Sequence, residues 1–527
     1  MAFSTVLKYL DLTGVNISEA TTWLQVKNNL PSLVDLHLSR CGLRLITSVD
    51  FVNFTSLRVL DLSGNNFNSF LPYWFSTTLQ NMTRLRYLNL SSNNFNSTVP
   101  NWFTRFRNLE VLSIEDNLVR EGMLPESLGK LCRLEEIYLS RNRFSGDIQQ
   151  AFTGCISRSL PFLYLGSNKF SGQIPKNLGE LSKLQERDLV DNNFSGPLPV
   201  SLGQLQELEY LVISLNLLEG SVSEAHFRNL SRLKILRANG NKLIFKPSRN
   251  WSPPFQLRGL SLRTWQLGLK FPIWIKHMRH LNYLSLARMG IVDAVPAWFW
   301  TSTSQLSNNA WHKNMLEILN LRSNSLSGEI PDCWMTWPLI RVLRLDANRL
   351  TGKMLSSILT GRIPEWINRL SNLVVFNLRL NEFQGNIPPK LCHLSSLQTL
   401  DMAGNNLSGR IPRCFNNFSM MAGKQRPTDQ IYYSTEDTFG GVPDSQFLVL
   451  KGRFNEYSNI LQFVLTLDLS DNSLSGSIPV EVTRIVQVQA LNLSRNSLTG
   501  SIPDSIGGMV LLESLNVSRN QLSGEIP

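Results

Sequence analysis

Two sets of ionisable residues in this 527-residue chain recur at spacings that can bring them side by side. Arg237, Arg263, Arg288, Arg322, Arg344 and Arg379 each lie one, three or four residues after an apolar residue of a repeating pattern. Glu110, Glu115, Asp116, Glu135 and Glu136 gather earlier, with Tyr138 among them. Arrayed on adjacent strands, about 4.8 Å apart, the arginines form a basic stripe and the glutamates an acidic patch. A planar guanidinium takes a carboxylate through two parallel hydrogen bonds, so the stripe suits an acidic face of a protein or peptide ligand. The competing reading is that mixed charge merely hydrates a long surface.

Catalytic arrangements are a poorer fit. The six histidines are scattered, and His277-Met278-Arg279-His280 lacks the HExxH spacing of a zinc site. There is no glycine-rich phosphate loop, kinase motif set or G-x-S-x-G elbow. The chain therefore reads as a binding protein and not an enzyme, with no cofactor or metal site. The net charge of +11 is spread out and lacks the basic density of a nucleic-acid footprint.

The element that must position these residues is a repeat. VLTLDLSDNSLSGSIP at 464–479, VQALNLSRNSLTGSIP at 488–503 and LESLNVSRNQLSGEIP at 512–527 all follow LxxLxLxxNxLxGxIP. A period of about 20–29 residues on this template marks a leucine-rich-repeat solenoid. Its central position recurs at Leu10, Leu36, Leu60, Leu88, Leu112, Ile137, Leu163, Arg187, Leu211, Leu236, Leu260, Leu284, Leu319, Leu343, Phe376, Leu400, Leu467, Leu491 and Leu515. The expected fold is an α/β solenoid: a curved right-handed superhelix of about 19 repeats with a parallel concave sheet. Strand alternation sends Leu60 and Leu62 to the core and Asp61 and Ser63 to the concave side.

Five residues after each centre, 15 repeats place an asparagine, whose amide can both donate to and accept from backbone groups left unpaired where the strand turns inward. Val15, Cys41, Trp265 and Met289 interrupt this ladder. The G-x-I-P segments turn the chain, and short helical turns such as 176–181 and 504–509 are expected on the convex side. Pro-x-Trp variants at 72–74, 100–102, 296–298 and 364–366 are expected to pack an aromatic between coils. Cys132 and Cys155, and Cys392 and Cys414, stand about one repeat apart. Each pair can form a disulfide in an oxidising compartment or remain as buried thiols.

The organisation expected is a solenoid over 1–412, a non-repeat insertion over 413–460 and terminal repeats over 461–527. An irregular or deleted repeat is expected near 353–362, and a polar insert at 302–313. The insertion ends in FLVLKGRFNEY, where alternation returns and an added strand is expected. Lys451 and Tyr457 within it are candidate partner contacts. No signal-peptide pattern opens the chain and no run of about 20 apolar residues occurs, so an uncapped fragment of a longer protein is expected. Asn-x-Ser/Thr acceptors stand at Asn16, Asn53, Asn81, Asn89, Asn96, Asn193, Asn229, Asn250, Asn406, Asn417, Asn492 and Asn516.

With DLTGVNIS at 11–18, LPSLVDLHLSRCGL at 30–43, the LSGEIP and LTGSIP repeats and the KGRFNEY ending, the chain resembles plant leucine-rich-repeat receptor-like proteins. It is similar in particular to the ethylene-inducing-xylanase receptor class. The resemblance implies an extracellular, plasma-membrane-attached glycoprotein in plant defence signalling. It also implies a protein or peptide elicitor as ligand, and adaptor and co-receptor leucine-rich-repeat receptor kinases as partners. The alternatives are a soluble inhibitor of microbial wall-degrading enzymes, which would use the same concave surface, and a truncated non-signalling product.

Overall fold

The computed structural model describes residues 6–19, 32–44, 55–67, 82–96, 105–119, 122–300, 315–330, 337–351, 362–424, 446–450, 453–457 and 464–527. The polar insert at 302–313, the junction at 352–361, Lys451, Asn53, Asn81 and the Pro-x-Trp segments at 72–74 and 100–102 lie outside them. Two compact units divide the chain, Met1–Phe255 and Gln256–Pro527.

Each of the 19 expected centres is the middle residue of a three-residue strand, from Tyr9–Asp11 to Ser514–Asn516. Ten strands lie in the first unit and nine in the second, among the described residues. Within each unit successive strands pair in parallel with centre opposite centre, as in Ile137↔Leu163 and Leu400↔Leu467. The last pairing crosses the insertion without loss of register. From Leu36 to Leu491 the centre and the residue two places on are buried, as Leu60 (3%) and Leu62 (0%) are, whereas Leu515 in the last repeat is 40% exposed.

The asparagine ladder closes each turn. Asn192 donates through Nδ2 to the carbonyls of Leu165, Leu189 and Val190, and its Oδ1 accepts the Phe170 N–H at 3.0 Å. Cys41 takes the same place with a thiol, which donates to the Leu12 carbonyl at 3.0 Å. Trp265 and Met289 are buried there instead, yet strands Gly259–Ser261 and Tyr283–Ser285 keep the register.

Two features differ from the sequence reading. The residue before each ladder position adopts φ between +51° and +77° in all 19 repeats, although only Gly14, Gly64, Gly240 and Gly404 are glycines. The turn that delivers the ladder amide imposes this left-handed conformation, and local cost is accepted for it. The segments after the ladder residue do more than turn. Lys169–Gln173, Asn193–Gly196 and Leu217–Val222 form part of a second parallel sheet in the first unit. Gln384–Asn386, Asn406–Gly409 and Ser473–Ser477 do so in the second. Phe144, Phe170 and Phe194 stack along the core beneath it, with centroids 5.8 and 6.2 Å apart.

Helix is scarce. The expected turns are 3-10 helices such as Lys176–Glu180 and Asp504–Gly508, entered from Pro175 and Pro503 in extended conformation. One short α-helix, Ala297–Trp300, occurs among the described residues. Its Trp298 packs against Phe271 at 5.9 Å.

The cysteines of both pairs are bonded, Cys132 to Cys155 and Cys392 to Cys414. The second bond bears on the insertion boundary expected at 413. Arg413–Asn417 is a 3-10 helix like its neighbours, Phe415, Phe418 and Met421 are buried, and the Met421 carbonyl accepts the Gln487 N–H. The coil therefore continues to 424. FLVLKGRFNEY supplies two strands where one was expected. Gln446–Leu450 and Arg453–Tyr457 pair antiparallel, with Leu450 opposite Arg453.

Candidate binding surface

The outer face of each sheet is built from the residues one before, one after and three after the strand centre. In the second unit this register collects Arg322, Arg344 and Arg379. They do not form an open basic stripe. Arg322 is 2% exposed with Nε 3.9 Å from Asp346 Oδ2, and Arg344 is fully buried. Arg379 Nη1 donates to Asp468 Oδ2 at 3.2 Å and lies 3.7 Å from Asp401 Oδ1. Asp468 also accepts from Asn492 and from the Ser470 hydroxyl. Burial, with the Asp468 charge beside it, holds the Asp401 carboxyl well above the usual range, and Arg379 offsets only part of this. The arginines reach the face that strand alternation predicts, but the following strands offer aspartates at the same register.

Arg263 and Arg288 belong to earlier strands of the second unit, half-buried and exposed respectively. Arg237 belongs to the first unit, where it faces Asp188 electrostatically.

The acidic patch of the first unit also rearranges. Glu110 and Glu135 precede their strands, and Glu110 lies 3.5 Å from Arg86. The face itself carries Glu115, Glu136, Glu186 and Asp188 together with Tyr138 and Tyr164. The rings of Tyr138 and Tyr164 stack at 4.8 Å and 8°. Tyr138 Oη donates to Glu136 at 2.9 Å, and Tyr164 Oη donates to Glu186. Burial and these carboxylates hold both phenols well above the ordinary tyrosine value. Tyr164, Glu186 and Asp188 escaped the sequence reading, although the register after Leu163 and around Arg187 marks them.

Burial pushes the Asp188 carboxyl up to about 6, against the N–H of Val190 and the charge of Arg237, which favour ionisation. An acid whose folded value exceeds its ordinary 3.8 binds more protons folded than unfolded. Its contribution is therefore present at low pH and lost as pH rises through about 6. Asp188→Asn is expected to remove a pH-dependent stability loss of roughly 3 kcal/mol between about pH 4 and pH 7. Urea midpoints of both proteins at those two pH values check it.

Among the described residues no group of histidines, cysteines and carboxylates could hold a metal ion. No helix among them is long and apolar enough to cross a membrane.

Leucine rich repeat family models match residues 464–522 and five segments, 56–78, 84–106, 133–155, 315–337 and 396–418. Receptor-like protein EIX1 of Solanum lycopersicum is 36% identical over 115 residues, which are 22% of this chain and 10% of that protein. Receptor-like protein EIX2 of the same plant is 32% identical over 114 residues, again 22% and 10%. The match thus spans a tenth of the length of these relatives. The Arabidopsis receptor kinase HAESA, solved with the peptide hormone IDA and the co-receptor SERK1, superposes with a TM-score of 0.69. It is 26% identical, over 99% of this chain and 80% of that one. The PEPR1–AtPEP1 structure superposes at 0.58 with 27% identity, over 93% and 72%.

The chain is similar to plant leucine-rich-repeat receptor-like proteins. The Asn-x-Ser/Thr positions within the described residues differ in exposure. Asn16, Asn193, Asn229, Asn250, Asn406 and Asn417 are exposed, and Asn89, Asn96 and Asn516 are half-buried. Asn492 is 8% exposed, and its amide bonds Asp468, Ser470 and Ser494. A glycan there would displace that network.

Proposed function

We propose that this chain is the extracellular ligand-binding region of a plant cell-surface receptor-like protein, acting in defence signalling at the plasma membrane. It would bind a protein or peptide elicitor and signal through adaptor and co-receptor leucine-rich-repeat receptor kinases. The likeness to the HAESA ectodomain over 99% of the chain carries the reading. HAESA was solved with both a peptide hormone and a co-receptor, and the EIX1 and EIX2 likenesses support the receptor-like form. Sheet faces rich in charge and aromatic groups suit protein recognition. The insertion hairpin supports the end of the second unit as the kinase-facing side. Its first strand approaches strand Ala490–Asn492, with Cα atoms within 8 Å. Lys451 and Tyr457 are the contacts proposed there.

The experiment titrates the secreted chain with an extracellular fungal xylanase, with and without a SERK1 ectodomain, while xylan hydrolysis is followed. The expected result is xylanase binding with hydrolysis unimpaired, and about tenfold tighter co-receptor binding when xylanase is present. Loss of hydrolysis in proportion to bound chain would establish the inhibitor reading instead. Co-receptor binding that is indifferent to bound xylanase would also overturn the proposal.

A further inference from the structure

We infer that the sheet face of the first unit seats an arginine or lysine side chain of a basic peptide segment, with Tyr138 as its platform. This deepens the receptor reading by naming the chemistry of the ligand segment bound there. Strands Glu136–Tyr138, Phe162–Tyr164 and Glu186–Asp188 run in register, so Tyr138 lies opposite Tyr164 and Glu136 and Glu186 flank Phe162. The 4.8 Å ring separation equals the ordinary strand spacing. The sheet therefore dictates the stack.

One face of Tyr138 is thus covered by Tyr164. On its other side the facing residue is Ser113, whose side chain is too small to continue the stack. Glu115 follows on that same chain segment, and burial raises its carboxyl above the usual value. A guanidinium placed one further strand spacing along would cover the second ring face, between Glu115 and Glu136. Cations favour the face of an aromatic ring within about 6 Å. Each tyrosine hydroxyl already holds its glutamate, so the carboxylates are positioned before any ligand arrives.

A neutral oligosaccharide also stacks on tyrosine. The phenol donors it would use are committed to Glu136 and Glu186, and the carboxylates beside the ring favour a cation over a neutral sugar. The chain as a whole carries +11, so diffuse attraction does not draw a basic peptide to it.

The test uses the full chain and fluorescence anisotropy with a short labelled Gly–Arg peptide, its Gly–citrulline twin and xylohexaose as competitor. The arginine peptide is expected to bind about tenfold tighter than the citrulline peptide and to weaken with salt. Tyr138→Ala and the pair E136Q/E186Q should each cost about tenfold, whereas Tyr138→Phe, which keeps the ring, should retain most of the affinity. E136Q/E186Q preserves side-chain shape, and circular dichroism checks that every variant folds. Equal binding of the two peptides, full binding by E136Q/E186Q, or displacement by xylohexaose overturns the inference. No co-receptor or xylanase enters this measurement, so its failure leaves the receptor experiment standing.

Discussion

Arg187→Leu is expected to raise the unfolding free energy by roughly 2–4 kcal/mol. Arg187 occupies the centre of strand Glu186–Asp188, between Leu163 and Leu211, where every other repeat places an apolar residue. It is 1% exposed, and its three guanidinium nitrogens meet no hydrogen-bond acceptor among the described residues. A buried charge without a counter-ion costs several kcal/mol. Burial accordingly pushes the group down to about 9. For a base with a lowered folded value the unfolded chain binds more protons, so wild-type stability recovers as pH climbs above about 9. The advantage of the leucine variant should narrow over the same range. Urea midpoints at neutral pH and near pH 10 measure both effects. An unchanged midpoint at neutral pH would refute a desolvated Arg187.

Asn241→Ala is expected to cost roughly 3–5 kcal/mol. Asn241 is 1% exposed and donates to the carbonyls of Ile213, Ala238 and Asn239 while accepting the Leu218 N–H at 3.1 Å. Alanine withdraws the donor these carbonyls share and the acceptor of the buried Leu218 N–H, while the Ile213 carbonyl keeps Asn216 Nδ2 and the Asn239 carbonyl keeps the Leu215 N–H. Asn241→Asp discriminates the cause. It keeps the acceptor but turns a carboxylate oxygen toward the carbonyls, so it should destabilise at least as much as alanine. If Asp behaves like Asn, the ladder amide is dispensable and closure of the coil rests on packing alone. The unfolding midpoint of each variant decides between these outcomes.

These two positions also show what a one-dimensional pattern can reveal. The asparagine at a constant offset from each centre was legible because its role depends on local chain geometry that every repeat shares. Arg187 was legible only as an exception to the template, since burial depends on both neighbouring coils. The left-handed residue before each ladder position was hidden, because Arg40, Leu215 and Leu380 adopt it as Gly64 does. Closure of the coil overrides residue preference there. The second parallel sheet was hidden for a related reason. Its strands look like turns until adjacent coils stack and supply hydrogen-bond partners.

The binding surface divides along the same line. Repeat period, strand centres, core residues and the identity of face-directed side chains follow from the order of amino acids, because a strand alternates regardless of its surroundings. What those side chains do depends on the next strand over. Arg379 became an ion-pair partner because Asp401 and Asp468 arrive beside it, the latter from across an insertion. Tyr138 became a platform because Tyr164 stacks on it and Glu136 turns to its hydroxyl. Charge at a position was written in the chain. Whether that charge is spent internally or offered to a ligand was decided only by its neighbours at 4–5 Å, where Coulomb and hydrogen-bond energies are large enough to choose.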